Sequence, residues 1–176
     1  MSEDSRTATG RLRRPAGELR APVPSSPAVR DRFRRQPVRD TVPELALRRQ
    51  LHALGLRYRV DVAPLRGGRR RADVVFTRAQ IAVFVDGCFW HSCPQHASSP
   101  KANADWWQAK LARTVQRDRD TDIALIGAGW LVLRVWEHEP AAQAAERVLR
   151  AWKERRRPSS DQPPTAASAA DPGHPA

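Results

Sequence analysis

Residues 83 to 96 read VFVDGCFWHSCPQH. An apolar run ends at Asp86 and Gly87, and the next residues carry both cysteines of the chain, Cys88 and Cys93, with His91, His96 and the adjacent aromatics Phe89 and Trp90. Thiolate and imidazole are ligands that zinc prefers, and the C-x4-C-x2-H spacing of Cys88, Cys93 and His96 offers three of them to one ion. A closed tetrahedral site needs a fourth. The candidates are His91, inside the segment, and His138, just past the apolar run that ends at Trp136. If the two apolar runs are neighbouring strands, their ends coincide, His138 falls beside the loop, and His91 is left free. The competing reading is two buried thiols with incidental imidazoles. His52 and His174 are expected in solvent, uninvolved.

The acids form a second pattern. Asp73 opens a strand-like run behind an arginine-rich loop, and the next such run ends in Asp86. A two-strand meander brings the start of one strand beside the end of the next, so both carboxylates can share a hard divalent cation. Glu44, in the first turn of an expected helix, can supply a third acid. The plainer reading keeps each acid local, so that Asp73 answers Arg69 to Arg71, Asp86 forms a turn, and Glu44 complements the helix dipole. On these residues alone the plainer reading holds.

The elements that must position these groups follow from periodicity. DTVPELALRRQLHALG reads as a helix, with Asp40 or Thr41 at its cap, Pro43 in its first turn and Gly55 at its end. Leu47, Leu51 and Leu54 give it one apolar face. LRYRV (56–60), ADVVF (72–76) and IAVFV (81–85) are strand-like, with a turn-rich basic loop between the first two and TRAQ as a hairpin turn between the others. Asn103 can cap a long helix to about Ile126, lined on one side by Trp107, Leu111 and Val115 and broken by Gly127 and Gly129. WLVLRVW (130–136) is a buried strand, and AAQAAERVLRAWKERR a closing helix. The order α-β-β-β-α-β-α predicts an α/β fold, a mixed sheet flanked by helices. Residues 1–40 read as a disordered basic arm, 41–156 as the folded domain, and 157–176 as a disordered Pro/Ala/Ser-rich tail.

With 31 Lys and Arg against 19 Asp and Glu, the 176-residue chain carries a net charge of +12, nearly all of its positive side arginine. Arginine binds phosphate as a planar fork, which favours a polyanionic partner such as nucleic acid, although arginine-rich composition also follows from codon bias. No run approaches the 18 apolar residues of a membrane span, and the opening segment lacks the apolar region of a secretory signal. Two cysteines in such a chain point to a metal or a reactive thiol before a disulfide.

GCFWH after a short apolar strand and before Cys and His resembles the very-short-patch-repair DNA mismatch endonucleases. So do ADVVF in the place of that family's P-D-F-V-type strand, NADWWQAKLARTVQRDRDTDIALIGAGW, and LRVWEHE. The likeness runs over about residues 40 to 140. It implies a restriction-endonuclease-like fold and a magnesium-dependent enzyme that nicks DNA beside the thymine of a T:G mismatch left by deamination of 5-methylcytosine. By the same resemblance Asp73 and the Val85 carbonyl bind magnesium, His91 is the catalytic histidine and Glu44 the acid from the first helix. Cys88, Cys93, His96 and His138 hold a structural zinc, and Phe89 and Trp90 form a wedge pushed into the base stack. Two departures stand out. Asp86 lies where some members carry a second catalytic histidine, so it is read here as a further magnesium ligand and catalytic acid, and Ala72 stands where the motif has proline.

Lys110 and Arg117 on the long helix are added as DNA contacts. Trp130, Trp136 and Trp152 read as core, and Trp106 and Trp107 are divided between core and DNA. The expected partner is double-stranded DNA with a T:G mismatch, joined by other repair proteins, and the expected form is a monomer of the bacterial cytoplasm at the nucleoid, without membrane contact. The alternatives are a restriction-type or structure-specific nuclease of the same fold and a non-catalytic zinc-stabilised nucleic-acid-binding module.

Overall fold

In a computed structural model of the chain, which describes residues 22 to 156 apart from 25, 97 and 99, the expected order of elements is present with one addition. The elements are α1 (Pro27–Arg35), α2 (Val42–Ala53), β1 (Arg59–Val62), β2 (Ala72–Phe76), β3 (Ile81–Asp86), α3 (Ala104–Gly127), β4 (Leu131–Trp136) and α4 (Ala141–Arg156). Helix α1 corrects the expectation of a structureless arm through residue 40. The Ser26 side chain caps it by accepting from the Val29 N–H, Pro27 suits its first turn, and Arg32, Arg34 and Arg35 complement the dipole of its last. It buries none of its residues, which is why no apolar periodicity announces it. The rest of the arm, residues 1–21, and the tail with His174 lie outside the described residues.

Two smaller expectations also shift. Leu54 is 41% exposed, because the helix has ended at Ala53 and Leu54 is its C-cap. The first strand lies at Arg59–Val62, later than the expected 56–60, because Leu56 is still turning: its N–H bonds to the Leu51 carbonyl across Gly55, whose φ of +77° allows the reversal.

The sheet order is β1-β2-β3-β4, with β1/β2 and β2/β3 antiparallel and β3/β4 parallel through the α3 crossover. One face carries Val74, Phe76, Ile81, Val83 and Val135 against Leu47 and Leu51 of α2 and Ala144, Ala145 and Val148 of α4. The small side chains of α4 let it lie close to α2. The other face sets Ala72, Val75 and Ala82 against Leu125 of α3 and Trp130.

What positions the site is a parting of strands. The β2/β3 ladder runs through Phe76↔Ile81 and Val75↔Ala82 and stops at Val74↔Val83, while β3 stays paired with β4 as far as Asp86↔Trp136. Continuing the first register would set Ala72 opposite Val85. Instead the Val85 N–H donates to the Asp73 carboxylate, 2.7 Å to Oδ2. A side chain thus takes the place of a ladder bond, and the two strands fork around it. No helix among the described residues is long and apolar enough to cross a membrane.

Candidate active site and metal cluster

The fork opens into a cleft of about 660 Å³ lined by Glu44, Asp73, Val85, Asp86 and His91 among others. Burial raises the Asp73 carboxyl to about 6, with Glu44 and Asp86 adding to the rise and the Val85 N–H and Arg48 opposing it. A half-buried carboxylate whose charge is opposed by burial is the kind of group that a hard divalent cation relieves, so Asp73 fits such an ion. Glu44, 5% exposed, has a structural role as well. Its Oε2 accepts from the Asp40 N–H (3.0 Å) and Arg48 (2.8 Å), and its Oε1 from the Thr41 hydroxyl (2.9 Å). This follows from the Thr41-x-x-Glu44 spacing, in which the acid of the first turn reaches back over the helix start. The arginine loop, by contrast, is not what Asp73 answers: Arg71 pairs with Asp61 at 2.7 Å.

Asp86 has a different partner from the one expected. It is 3% exposed, and its two oxygens accept from Nη1 of Arg134 on β4 at 2.9 and 2.8 Å. Sharing a cation with Asp73 would require breaking that pair. Arg134 also donates to Asp122 (2.9 Å from Nη2) and to the Asp118 carbonyl (3.3 Å). Although burial weakens its hold on a proton, Asp122 and Asp86 more than restore it. His91 sits past Gly87 in the turn that follows β3, its N–H bonded to the Gly87 carbonyl at 3.1 Å. Its Nδ1 lies 2.6 Å from Asp118 Oδ2 and 3.4 Å from Asp86 Oδ1. A carboxylate only accepts, so Nδ1 donates in this bond and Nε2 is turned away from Asp118. Burial opposes ionisation of Asp118, but the bond from His91 and the charges of His91, Arg134 and Arg117 hold its carboxyl below the ordinary range. Asp118 and Arg134 are not among the residues that spacing and motif single out. Signals for both exist: Asp118, Thr121, Asp122 and Leu125 share one helix face, and Arg134 is a lone charge in an apolar strand.

On the far side of the same loop, Cys88, Cys93, His96 and His138 converge, with their ligand atoms all within 4.8 Å of one another. His138 is the fourth member, because the parallel β3/β4 register ends both strands together and brings residue 138 to the loop. The Cys88 Sγ to His138 Nδ1 distance is 3.1 Å, and Cys93 Sγ lies 3.8 Å from Nδ1 of both His96 and His138. Ligand separations of about 3.3–3.8 Å are those of a tetrahedral ion with bonds of about 2.0–2.3 Å. The two 3.8 Å separations meet this and the 3.1 Å one is slightly short, so small side-chain shifts would let the set hold one metal. Burial and the adjacent Cys93 push the Cys88 thiol up, a cost that a bound cation removes. Glu137 ties the cluster to the cleft, accepting from the Cys88 N–H at 2.6 Å while its own N–H bonds the Asp86 carbonyl at 2.9 Å.

The aromatic pair of the loop belongs to a larger cluster. Phe89 and Trp90 meet edge to face at 5.1 Å, Trp107 of α3 lies 5.2 and 5.9 Å from them, and Phe33 of α1 lies 5.8 Å from Trp90 and 5.4 Å from Trp107. Phe89, Trp90 and Trp107 are half-buried, so they retain faces toward solvent. Phe33 is a member that composition alone assigns to the arm. Lys110 and Arg117 line the cleft from α3, Lys110 over the Trp106 ring at 5.4 Å. Trp130 is buried in the core as expected, while Trp136 stacks on His138.

Two outcomes follow from these environments. Between pH 3.8 and about 6 the folded protein holds the Asp73 proton that the unfolded chain has released, so stability falls as pH rises through that window. Asp73→Asn, whose amide oxygen can still accept from Val85, should therefore stabilise the protein by about 1–3 kcal/mol at pH 7 without added divalent cation. Denaturant titrations should show the gain vanish below about pH 4, and a less stable variant at pH 7 would rule out a strained carboxylate. For the cluster, elemental analysis should find one metal per chain, with occupancy and melting temperature lowered together in His138→Ala. Full occupancy in that variant would remove His138 from the ligand set.

The sequence has relatives among known endonucleases. The family model described as DNA mismatch endonuclease Vsr matches residues 26–96. The chain is 44% identical over 153 residues to the type II nicking enzyme V.NaeI of Lentzea aerocolonigenes, covering 85% of this chain and 90% of that one. It is 38% identical over 120 residues to the type II nicking enzyme V.NmeDIP of Neisseria meningitidis serogroup C (65% and 79% covered). Against the DNA mismatch endonuclease Vsr of Escherichia coli the identity is 37% over 100 residues (56% and 62% covered). Likeness of this extent, across nearly the whole of both chains in the first case, makes the protein a member of the Vsr endonuclease family.

Proposed function

We propose that this endonuclease nicks double-stranded DNA beside the thymine of a T:G mismatch, in a restriction-endonuclease-like fold stabilised by zinc and with magnesium at Asp73. The observation that carries the reading is a shared cleft: Asp73, His91 and Trp90 line it together with Lys110 and Arg117. Asp73 and the Val85 carbonyl would hold the magnesium, which supplies charge stabilisation at the phosphoryl oxygens. Nε2 of His91, with Asp118 behind Nδ1, takes a proton from water or returns one to the leaving oxygen. Glu44 holds the start of α2 against the cleft and adds negative charge beside Asp73. Lys110 and Arg117 meet phosphates, which fixes register without reading bases.

Target choice comes from the wedge. Inserting Phe89 and Trp90 beside a base pair costs about a few kcal/mol of unstacking. A wobble pair is already displaced, so less of that cost remains. The zinc set, Cys88, Cys93, His96 and His138, keeps the loop rigid so that one turn presents the aromatics to the base stack and His91 to the phosphate.

The relatives named as type II nicking enzymes favour one second reading, a nuclease cutting one strand at a fixed site whether or not it is mismatched. Nicking of T:G and C:G duplexes of the same sequence separates the two. The mismatch reading expects cutting of T:G alone, lost in Asp73→Ala, reduced about 10²- to 10⁴-fold in His91→Ala, and deprived of its selectivity in the Phe89→Ala/Trp90→Ala double variant. Equal cutting of both duplexes by the native enzyme would transfer the function to the second reading.

A further inference from the structure

The floor of the cleft holds an ion-pair hub that the resemblance does not supply. Arg134 stands alone as a charge in β4, opposite Phe84 in the β3/β4 register, and its guanidinium lies over the Phe84 ring at 5.0 Å. From there it reaches three ways. Nη1 holds both oxygens of Asp86 at the end of β3, Nε and Nη2 hold Asp122 on α3, and Nη2 also reaches the Asp118 carbonyl one helical turn earlier. The planar fork of a guanidinium can satisfy several acceptors in fixed directions, which a lysine ammonium cannot.

We propose that Arg134 is a positioning residue: it withholds Asp86 from the divalent cation and sets the His91–Asp118 pair, leaving Asp73 as the carboxylate that meets the metal. The inference rests on the nuclease reading above and deepens it. Asp86 could ligate a cation only by giving up two charge-assisted bonds in a buried place, and the vacated guanidinium would then repel the ion beside it. Asp73 instead carries a backbone N–H on Oδ2 and has no such pair to lose. Through Asp122 and the Asp118 carbonyl, Arg134 also fixes the rotation of α3 against the sheet. That rotation determines where Asp118 Oδ2 meets His91 Nδ1, and Asp86 Oδ1 closes the other side of the same nitrogen at 3.4 Å. A chain with aspartate where some members carry a second histidine thus uses that carboxylate to anchor an arginine.

The test uses the full chain with its zinc, Mn²⁺ as a spectroscopic probe of the cation site, and steady-state nicking of a T:G duplex. Asp86→Asn should bind Mn²⁺, by electron paramagnetic resonance, within about twofold of the native affinity, whereas Asp73→Asn should not bind it. Asp86→Asn and Arg134→Met should lower kcat by about 10- to 100-fold with KM changed less than about twofold, the size expected when support behind a reacting group is lost. Arg134→Lys, which keeps the charge and loses the fork, should recover only part of that rate. If Arg134→Met does not fold, Arg134→Lys and Asp122→Asn make the same comparison with a charge still in place. Loss of Mn²⁺ in Asp86→Asn would make Asp86 a ligand and overturn the proposal, as would a native kcat in the Arg134 variants. A native enzyme that fails to nick T:G would defeat the mismatch reading, and the Mn²⁺ comparison would still decide the place of Asp86.

Discussion

Strand β3 is asked to pair on both sides, and it cannot do so over its whole length. It stays with β4 to Asp86 but leaves β2 after Val83, and everything chemical in the molecule is arranged around that parting. Asp73 occupies the gap and takes the Val85 N–H that the ladder no longer uses. Because the parallel partner ends level with β3, the loop after Asp86 and the turn after Trp136 are forced into contact. Glu137 and His138 therefore meet Cys88 across 49 and 50 residues of chain. An antiparallel β4 would have put those residues at the opposite end of the strands, and neither the Cys/His cluster nor the cleft could have formed.

Electrostatics then assigns the acids. The protein as a whole is strongly basic, yet the cleft floor gathers Asp73, Asp86, Asp118 and Asp122. In water a unit charge pair at 4 Å is worth about 1 kcal/mol, but near a partly dry site about 4, so here the partner of each carboxylate matters more than the overall charge. Asp86, Asp118 and Asp122 are tied to Arg134 or His91, and Glu44 to Arg48. Asp73 is the one whose burial outweighs the help of its neighbours and disfavours its charge. Five acids of one chemical type are thus divided by environment into four that brace a cationic partner and one whose charge burial opposes.

Much of this is legible in the sequence, for reasons that differ by element. Strands β2 and β3 and helix α4 carry unbroken apolar patterns bounded by turn residues, so their limits can be read closely. The Cys and His spacing identifies the cluster, and the choice of His138 over His91 follows once the two strands are taken as neighbours. Helix α1 is hidden because it is held by its cap and by the Phe33 ring, with no apolar stripe of its own. The partner of Asp86 is hidden too, because a carboxylate at a strand end gives no sign of what it meets. Arg134 lies 48 residues away, and only the β3/β4 register brings the two onto one face. Local pattern carries elements; long-range ion pairs require the topology first.

The loop between Asp86 and His96 joins these two levels. It has no helix or strand of its own, and fixing each such residue costs about 1–2 kcal/mol of conformational entropy. An ordinary segment would offset this by burying apolar side chains, but Phe89 and Trp90 are only half-buried and must keep a face toward solvent if they are to meet a base stack. The ordering therefore has to come from elsewhere: the Cys93 N–H on the Cys88 carbonyl at 2.9 Å, Glu137 on the Cys88 N–H, and the convergence of Cys88, Cys93, His96 and His138, a set able to hold a metal ion. On this account the cysteines sit beside the aromatics and the histidine by necessity. A rigid turn that exposes its largest apolar groups cannot be held by a core, and converging thiols and imidazoles that can share one ion are a compact means of holding it.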